Sequence, residues 1–150
     1  MDKETQLQEA VDEVINTLPG VWNNIRAKLR FAATSNFGIT LEQFHILRHI
    51  RKGYASVADL AEVKQISRPA VSQAVQSLVE KGLVTRQTDV DDRRSARLTL
   101  TPYAEKVLDA NYDSTREWMK GKMQTISSDE AEQVICAMEI LKKLFNSEEK

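Results

Sequence analysis

The sequence has little cysteine, proline or glycine: of its 150 residues, one is cysteine, three are proline and five are glycine. The single cysteine, Cys136, excludes a disulfide within the chain and a zinc site built from several cysteines. No apolar run approaches the roughly 20 residues that a membrane-spanning helix needs, so we expect no membrane partner. So few prolines and glycines leave room for long helices.

The chain also lacks a large excess of positive or negative charge, since its formal net charge is −1. This near-balance argues against a protein that binds nucleic acid over its whole surface, so any such binding needs local segregation of charge. Such segregation is present between residues 64 and 97, where seven residues are basic and four are acidic. The first residues carry charges of both signs rather than the pattern of a signal peptide, so we expect a cytoplasmic protein.

Both ends of the chain carry apolar residues at helical spacing. The N-terminal seam repeats every three or four residues, which is typical of a helix that packs on another helix. Its members are Leu7, Val11, Val14, Leu18, Val21, Ile25 and Leu29. We predict a kink or short break at Pro19 and Gly20, since proline removes a helical hydrogen bond. A final helix should start at Ser127, with Glu130 completing a capping box.

The middle of the chain predicts three short helices and a hairpin. Thr40 and Gln43 form a capping box for the first helix, and Ser56 and Ser67 are suited to cap the next two. The apolar residues expected to be buried on these helices are Leu41, Phe44, Leu47, Ile50, Val57, Leu60, Ala61, Ala70, Val71, Ala74, Val75 and Leu78. After Gly82 the pattern alternates with a period of two, which predicts a β-hairpin with a polar turn from residue 88 to 94.

Two short helices followed by a charged hairpin are suited to duplex DNA, because a helix fits the major groove and a wing reaches the backbone or the minor groove. The side chains of the second helix that point away from its apolar face are of types that contact bases and phosphates. We predict DNA contacts from Ser67, Arg68, Ser72, Gln73, Gln76, Ser77 and Arg86, and from Arg93 and Arg94 at the wing tip.

The sequence therefore predicts a mainly α-helical fold, a winged helix-turn-helix with long terminal dimerisation helices and a two-stranded β-wing. We divide it into an N-terminal dimerisation helix (1–35), a DNA-binding lobe (36–100) and C-terminal dimerisation helices (101–150). Neither apolar seam is suited to exposure, so we expect a homodimer that binds double-stranded DNA at a pseudo-palindromic site. The alternative is a winged-helix scaffold that binds another protein and no DNA.

Three segments of the chain resemble the MarR family of bacterial regulators. They are residues 78–84 (LVEKGLV), 89–94 (DVDDRR) and 98–102 (LTLTP), and residues 43–47 (QFHIL) also resemble the second helix of that family. The resemblance implies a dimeric transcriptional regulator, often a repressor that releases DNA when a small molecule or an oxidant is sensed. It also implies that Asp92 pairs with a wing arginine and holds the wing in shape, which leaves the other arginine for DNA.

An effector pocket at the hinge between the dimer helices and the DNA-binding lobe is a further hypothesis, with Trp22, Arg26, Phe44 and His45 as its lining. His45 and His49 lie four residues apart, but no third ligand is evident, so we expect no metal and no cofactor. Cys136 lies beside the apolar stripe of the last helix, and we expect burial rather than oxidant sensing. No nucleophile motif or phosphate-binding loop occurs, so we expect no enzyme activity.

Overall fold

The computed structural model describes residues 2–88 and 96–145, which form six α-helices and one two-stranded antiparallel sheet. In chain order the elements are α1 (Lys3–Phe37), α2 (Leu41–Arg51), α3 (Val57–Lys64), α4 (Arg68–Glu80), β1 (Val84–Thr88), β2 (Ala96–Leu100), α5 (Pro102–Met123) and α6 (Ser128–Phe145). The chain divides into two compact units, Met1–Thr115 and Arg116–Lys150. The predicted mainly helical fold with a β-wing is confirmed, whereas the division at residues 35 and 100 stays a prediction.

The long first helix runs through Pro19 without interruption, so a break there is wrong, while a kink stays a prediction. Proline removes one helical hydrogen bond, but the helical turns on either side continue around it. Just after the proline, the Asn24 side chain donates to the carbonyl of Gly20 at 2.9 Å. The helix ends at Gly38, whose φ of 61° is a left-handed conformation that favours glycine.

The three predicted caps are confirmed. Thr40 and Gln43 form a reciprocal capping box at the start of α2, and Ser56 and Ser67 accept hydrogen bonds from backbone N–H groups in the first turns of α3 and α4. These bonds satisfy N–H groups that a helix start otherwise leaves without partners. The sequence therefore determines where each short helix of this lobe begins.

The core of the first unit is built around α2, which contacts α1, α3, α4 and β2. Phe44, Ile46 and Leu47 are fully buried, and Val71, Val75 and Leu78 of α4 join them. Ala70 is exposed, so its predicted burial is wrong. It lies in the first turn of α4 at the edge of the apolar face, beyond the side chains that α4 packs into the core.

The wing is an antiparallel hairpin in which Val84 pairs with Leu100 and Thr88 with Ala96. Leu98 is buried, and its backbone N–H donates to the carbonyl of Ala55 at 2.7 Å, just before the cap of α3. The middle of β2 is thus bonded to the connection between α2 and α3. The predicted hairpin is confirmed in both strands. Thr88, predicted to begin the polar turn, lies in β1 because it pairs with Ala96, and the rest of the turn lies outside the described residues.

The second unit contains the end of α5 and all of α6. The predicted capping box of α6 is confirmed, because the Ser127 hydroxyl accepts from the Glu130 N–H at 3.2 Å and the Glu130 carboxylate accepts from the Ser127 N–H at 2.7 Å. No residue of α6 is buried in the single chain. Cys136 is exposed like the rest of this helix, so its predicted burial is wrong in the single chain.

Within the part of the chain that the structure describes, no helix is long and apolar enough to cross a membrane.

Candidate nucleic-acid interface

The outward face of α4 carries a polar surface. Arg68, Ser72, Gln73 and Gln76 are exposed, because the opposite face of the helix is buried in the core. The side chain of Arg86 reaches from β1 and donates to the backbone carbonyl of Ser72 at 3.4 Å. The structure thus places helix and wing residues side by side in a surface depression of about 650 Å³, lined by Pro69, Ser72, Gln73, Gln76, Ser77, Glu80 and Arg86.

Arg68 and Arg86 also line a second depression, of about 390 Å³, between the N-terminal ends of α3 and α4 and the wing strands. Ser56, Val57 and Ala58 at the start of α3 contribute to it. Helix N-termini and guanidinium groups both attract anions, and phosphate is recognised by this combination in other proteins. The arrangement is suited to a backbone phosphate at the edge of a groove.

The structure assigns two of the predicted contact residues to internal roles. Ser77 is half-buried at the edge of the depression, and its hydroxyl accepts a hydrogen bond from Gln43 Nε2 at 3.0 Å, so its DNA contact stays a prediction. Gln43 also caps α2, because its Oε1 accepts from the Thr40 N–H at 3.0 Å. Ser67 uses its hydroxyl as the cap of α4, accepting from the Ala70 N–H at 3.4 Å. The exposed base-contact candidates within α4 are Arg68, Ser72, Gln73 and Gln76, and Ser67 at its cap is exposed as well.

Glu80 is a residue of this surface that the sequence reasoning missed. Gln76 Nε2 donates to Glu80 Oε1 at 3.1 Å, and Glu80 lies in the same depression as Gln73 and Arg86. The four-residue spacing of Gln76 and Glu80 places them one turn apart on the same helix face. That spacing was the signal that could have identified Glu80.

The wing-tip residues Arg93 and Arg94, and the structural residue Asp92, lie outside the described residues. Their DNA contacts and the Asp92 pair stay predictions.

The four residues of the predicted effector pocket have different environments. Phe44 is fully buried in the core, where its ring lies 5.5 Å from the ring of Tyr112. Trp22 is 46% exposed on α1. Arg26 and His45 are half-buried, and Arg26 Nε is a buried donor with no hydrogen-bond acceptor in the described part of the chain. A pocket that contains all four side chains stays a prediction.

His45 and His49 share a half-buried, cationic environment on α2. Burial lowers the pKa of both imidazoles, and the positive charge of Lys64 lowers it further. His49 packs edge-on against the Tyr54 ring at 5.4 Å. Within residues 2–88 and 96–145, no group of three or more His, Cys, Asp or Glu side chains is arranged to hold a metal ion.

The histidine environment predicts an acid-sensitive fold. Since the pKa of each imidazole is lowered in the folded state, the unfolded chain binds protons more readily, and stability is greatest above about pH 6.5 and declines below it. We expect the urea concentration at the unfolding midpoint to decrease as the pH is lowered from 7 to 5. The double variant His45→Gln/His49→Gln should flatten this dependence, and an equally steep loss in that variant would assign the acid sensitivity to other groups.

Comparisons with known proteins agree with the architecture. The MarR family model matches residues 37–95, which contain α2, α3, α4 and β1. A relative of similar sequence, the transcriptional regulator AdcR of Streptococcus pyogenes, is 28% identical over 129 residues, which cover 84% of this chain and 88% of that protein.

Solved structures share the fold. The transcriptional regulator Tm0710 from Thermotoga maritima superposes with a TM-score of 0.78 at 21% identity, covering 91% of this chain and 96% of that one. A variant of Staphylococcus aureus MepR bound to an oligodeoxyribonucleotide superposes with a TM-score of 0.66 at 22% identity, covering 96% and 99% of the two chains. The predicted resemblance to the MarR family is confirmed: the family model matches the winged helix-turn-helix lobe of this chain, and solved transcriptional regulators share its fold.

Proposed function

We propose that this protein is a sequence-specific DNA-binding repressor that acts as a homodimer on a pseudo-palindromic operator and responds to a small ligand. The observation that carries the proposal is the polar outward face of α4, where Arg68, Ser72, Gln73 and Gln76 are exposed beside Arg86 of the wing. This face is supported from behind by the buried residues of α4 and is followed directly by the wing.

In the proposed complex, α4 enters the major groove and its side chains contact base edges. A glutamine amide pairs with adenine through two hydrogen bonds, and an arginine pairs with guanine in the same way. Gln73, Gln76 and Arg68 supply these groups. Arg86 and the start of α3 supply phosphate contacts, and Arg93 and Arg94 of the wing tip are proposed for the minor groove, where a narrow groove attracts arginine.

The position of α4 suits this role because α4 is held at its C-terminal end as well as along its buried face. Lys81, just beyond its C-terminal end, donates from its ammonium group to the carbonyl of Gly38. Ser77 accepts from Gln43 of α2 near the same end. Side chains that read bases must be held within a fraction of an ångström, and a helix fixed to its neighbours meets that requirement better than a loop.

The homodimer is proposed from apolar surface that a single chain leaves exposed. In the first turns of α1, Leu7, Val11 and Ile15 are exposed, and on α6 the exposed apolar residues include Ile135 and Leu144. Exposed apolar side chains in such numbers along a helix mark an interaction surface. A second copy of the chain offers the same two faces, which suits the self-complementary interface of a two-fold dimer.

The ligand response is proposed from the environment of Arg26. Its Nε–H group is buried without an acceptor in the described residues, and Trp22 lies one turn earlier on α1 with an exposed ring. A small carboxylate that bears an aromatic ring supplies the acceptor and an apolar face. Benzoate should raise the thermal midpoint of the protein, and a rise that persists in Trp22→Ala would place the binding site elsewhere.

The decisive experiment is to incubate the purified protein with genomic DNA fragments and sequence those it retains. The proposal predicts a small set of fragments that share an inverted repeat, and binding that weakens steeply as salt rises, since phosphate contacts release counterions. Retention of no fragment, together with capture of a stable protein partner, would replace the proposal with the scaffold function.

Changing Arg86 to alanine tests the phosphate contact. We expect weaker binding to all duplexes, with the slope of log affinity against log salt reduced by about one. Arg30→Ala is the matched control, because Arg30 is an exposed arginine on α1. Equal salt slopes in the two variants would remove Arg86 from the interface.

A further inference from the structure

Among the described residues that line the depression of about 650 Å³ beside α4, Glu80 is the only acidic one, and it is hydrogen-bonded to one of the base-contact candidates. Gln76 Nε2 donates to Glu80 Oε1 at 3.1 Å. A carboxylate accepts hydrogen bonds and donates none at neutral pH, so the group of Gln76 that faces Glu80 must be the NH₂. The orientation of the Gln76 amide is therefore determined, with Oε1 directed away from Glu80.

We propose that Glu80 is a positioning residue that holds Gln76 in the orientation that reads adenine. This inference rests on the proposed DNA-binding function. The amide has two N–H bonds, and in the proposed complex Glu80 accepts from the one directed away from Oε1. The second N–H and Oε1 then face the DNA side by side, and this is the donor and acceptor pair that adenine N7 and N6–H₂ require.

The charge of Glu80 gives the proposal a second, opposite consequence. A carboxylate on a surface that meets phosphates weakens binding to every duplex, whatever its sequence. Glu80 thus lowers general affinity while it increases discrimination at one base pair. A merely structural helix residue, or an acidic side chain outside the interface, does not combine these two effects.

The experiment uses the full-length protein and the operator recovered from genomic fragments. Binding is measured to a set of operators in which each base pair is changed in turn, and to an unrelated duplex. The variants are E80A, E80Q and Q76A, and E117A is the matched control, because Glu117 is an exposed carboxylate on α5 whose removal changes the net charge equally.

We expect Q76A to lose about tenfold discrimination for A·T at one base pair. E80A should lose about threefold at the same base pair and bind the unrelated duplex more tightly than E117A does. E80Q should also lose discrimination there, because a glutamine at position 80 both donates and accepts, which allows the Gln76 amide to turn over.

Two results would overturn the inference and leave the DNA-binding function intact. One is discrimination between base pairs in E80A equal to that in E117A. The other is a loss of discrimination in E80A at a base pair that Q76A does not affect, which would mean that Glu80 contacts a base itself. If the unmodified protein retains no fragment at all, the proposed function fails and the inference fails with it.

Discussion

Changing Ile135 to glutamate is expected to separate the proposed dimer into folded monomers and to weaken operator binding by about a hundredfold or more. Ile135 is 59% exposed in the single chain, so the substitution leaves the fold of one subunit nearly unchanged. In the dimer, each copy of the new carboxylate would lie in an apolar interface. Removing such a charge from water costs on the order of several kcal/mol for each ion.

The effect on DNA follows from the loss of the second lobe. A dimer that has bound one half-site offers its second lobe to the other half-site at a high effective concentration, whereas a monomer has no such advantage. Sedimentation and binding to operators with one or two half-sites measure both consequences. A variant that sediments as the unmodified protein does would remove α6 from the interface.

Gln133→Glu is the matched control for this substitution. Gln133 lies on the same helix, is also exposed and gains the same charge, but it is polar to begin with. We expect this variant to keep the oligomeric state and the operator affinity of the unmodified protein. Equal losses in the two variants would assign the effect to net charge rather than to the apolar surface.

Changing Phe44 to alanine should lower the free energy of unfolding by about 3–5 kcal/mol. Phe44 is 0% exposed, and its ring contacts His45 on α2 and Tyr112 on α5. Truncation leaves a cavity between α2 and α5, since the surrounding helices close only partly around it. Such a loss is a large share of the roughly 5–15 kcal/mol that stabilise an ordinary domain.

Urea unfolding at several protein concentrations measures this loss, because association of subunits adds to the apparent stability. Phe31→Ala is the control: Phe31 is 64% exposed and lies beneath the ammonium group of Lys28. Its truncation should change the unfolding free energy by about 0.5 kcal/mol or less. If Phe44→Ala behaved like Phe31→Ala, the ring would not be a core residue.

Local sequence determined most of the DNA-binding lobe. Side chains that cap a helix act on backbone groups two or three residues away, so Thr40, Ser56 and Ser67 are recognisable without knowledge of the rest of the fold. The alternation of Ala96, Leu98 and Leu100 identified β2 in the same way. These patterns are short in range, and the structure confirms each of them.

Contacts between elements could not be predicted with the same certainty. Whether Ser77 faces DNA or α2 depends on a hydrogen bond to Gln43, 34 residues earlier in the chain. The break predicted at Pro19 was wrong for a different reason. The rule that proline interrupts a helix considers one residue, whereas the hydrogen bonds of the neighbouring turns keep α1 continuous. Burial of Cys136 in the proposed dimer depends on a second copy of the chain, and the sequence of one chain does not show how two copies pack.

The hydrogen bond from Leu98 to Ala55 has a consequence for how the proposed complex releases DNA. Because the middle of β2 is bonded to the loop that precedes α3, movement of the wing away from that loop breaks this bond and exposes the buried Leu98. In the proposed dimer, a change in the separation between the two lobes avoids that cost. We therefore expect a signal to act on this separation, so that the lobes no longer match two half-sites one helical turn apart.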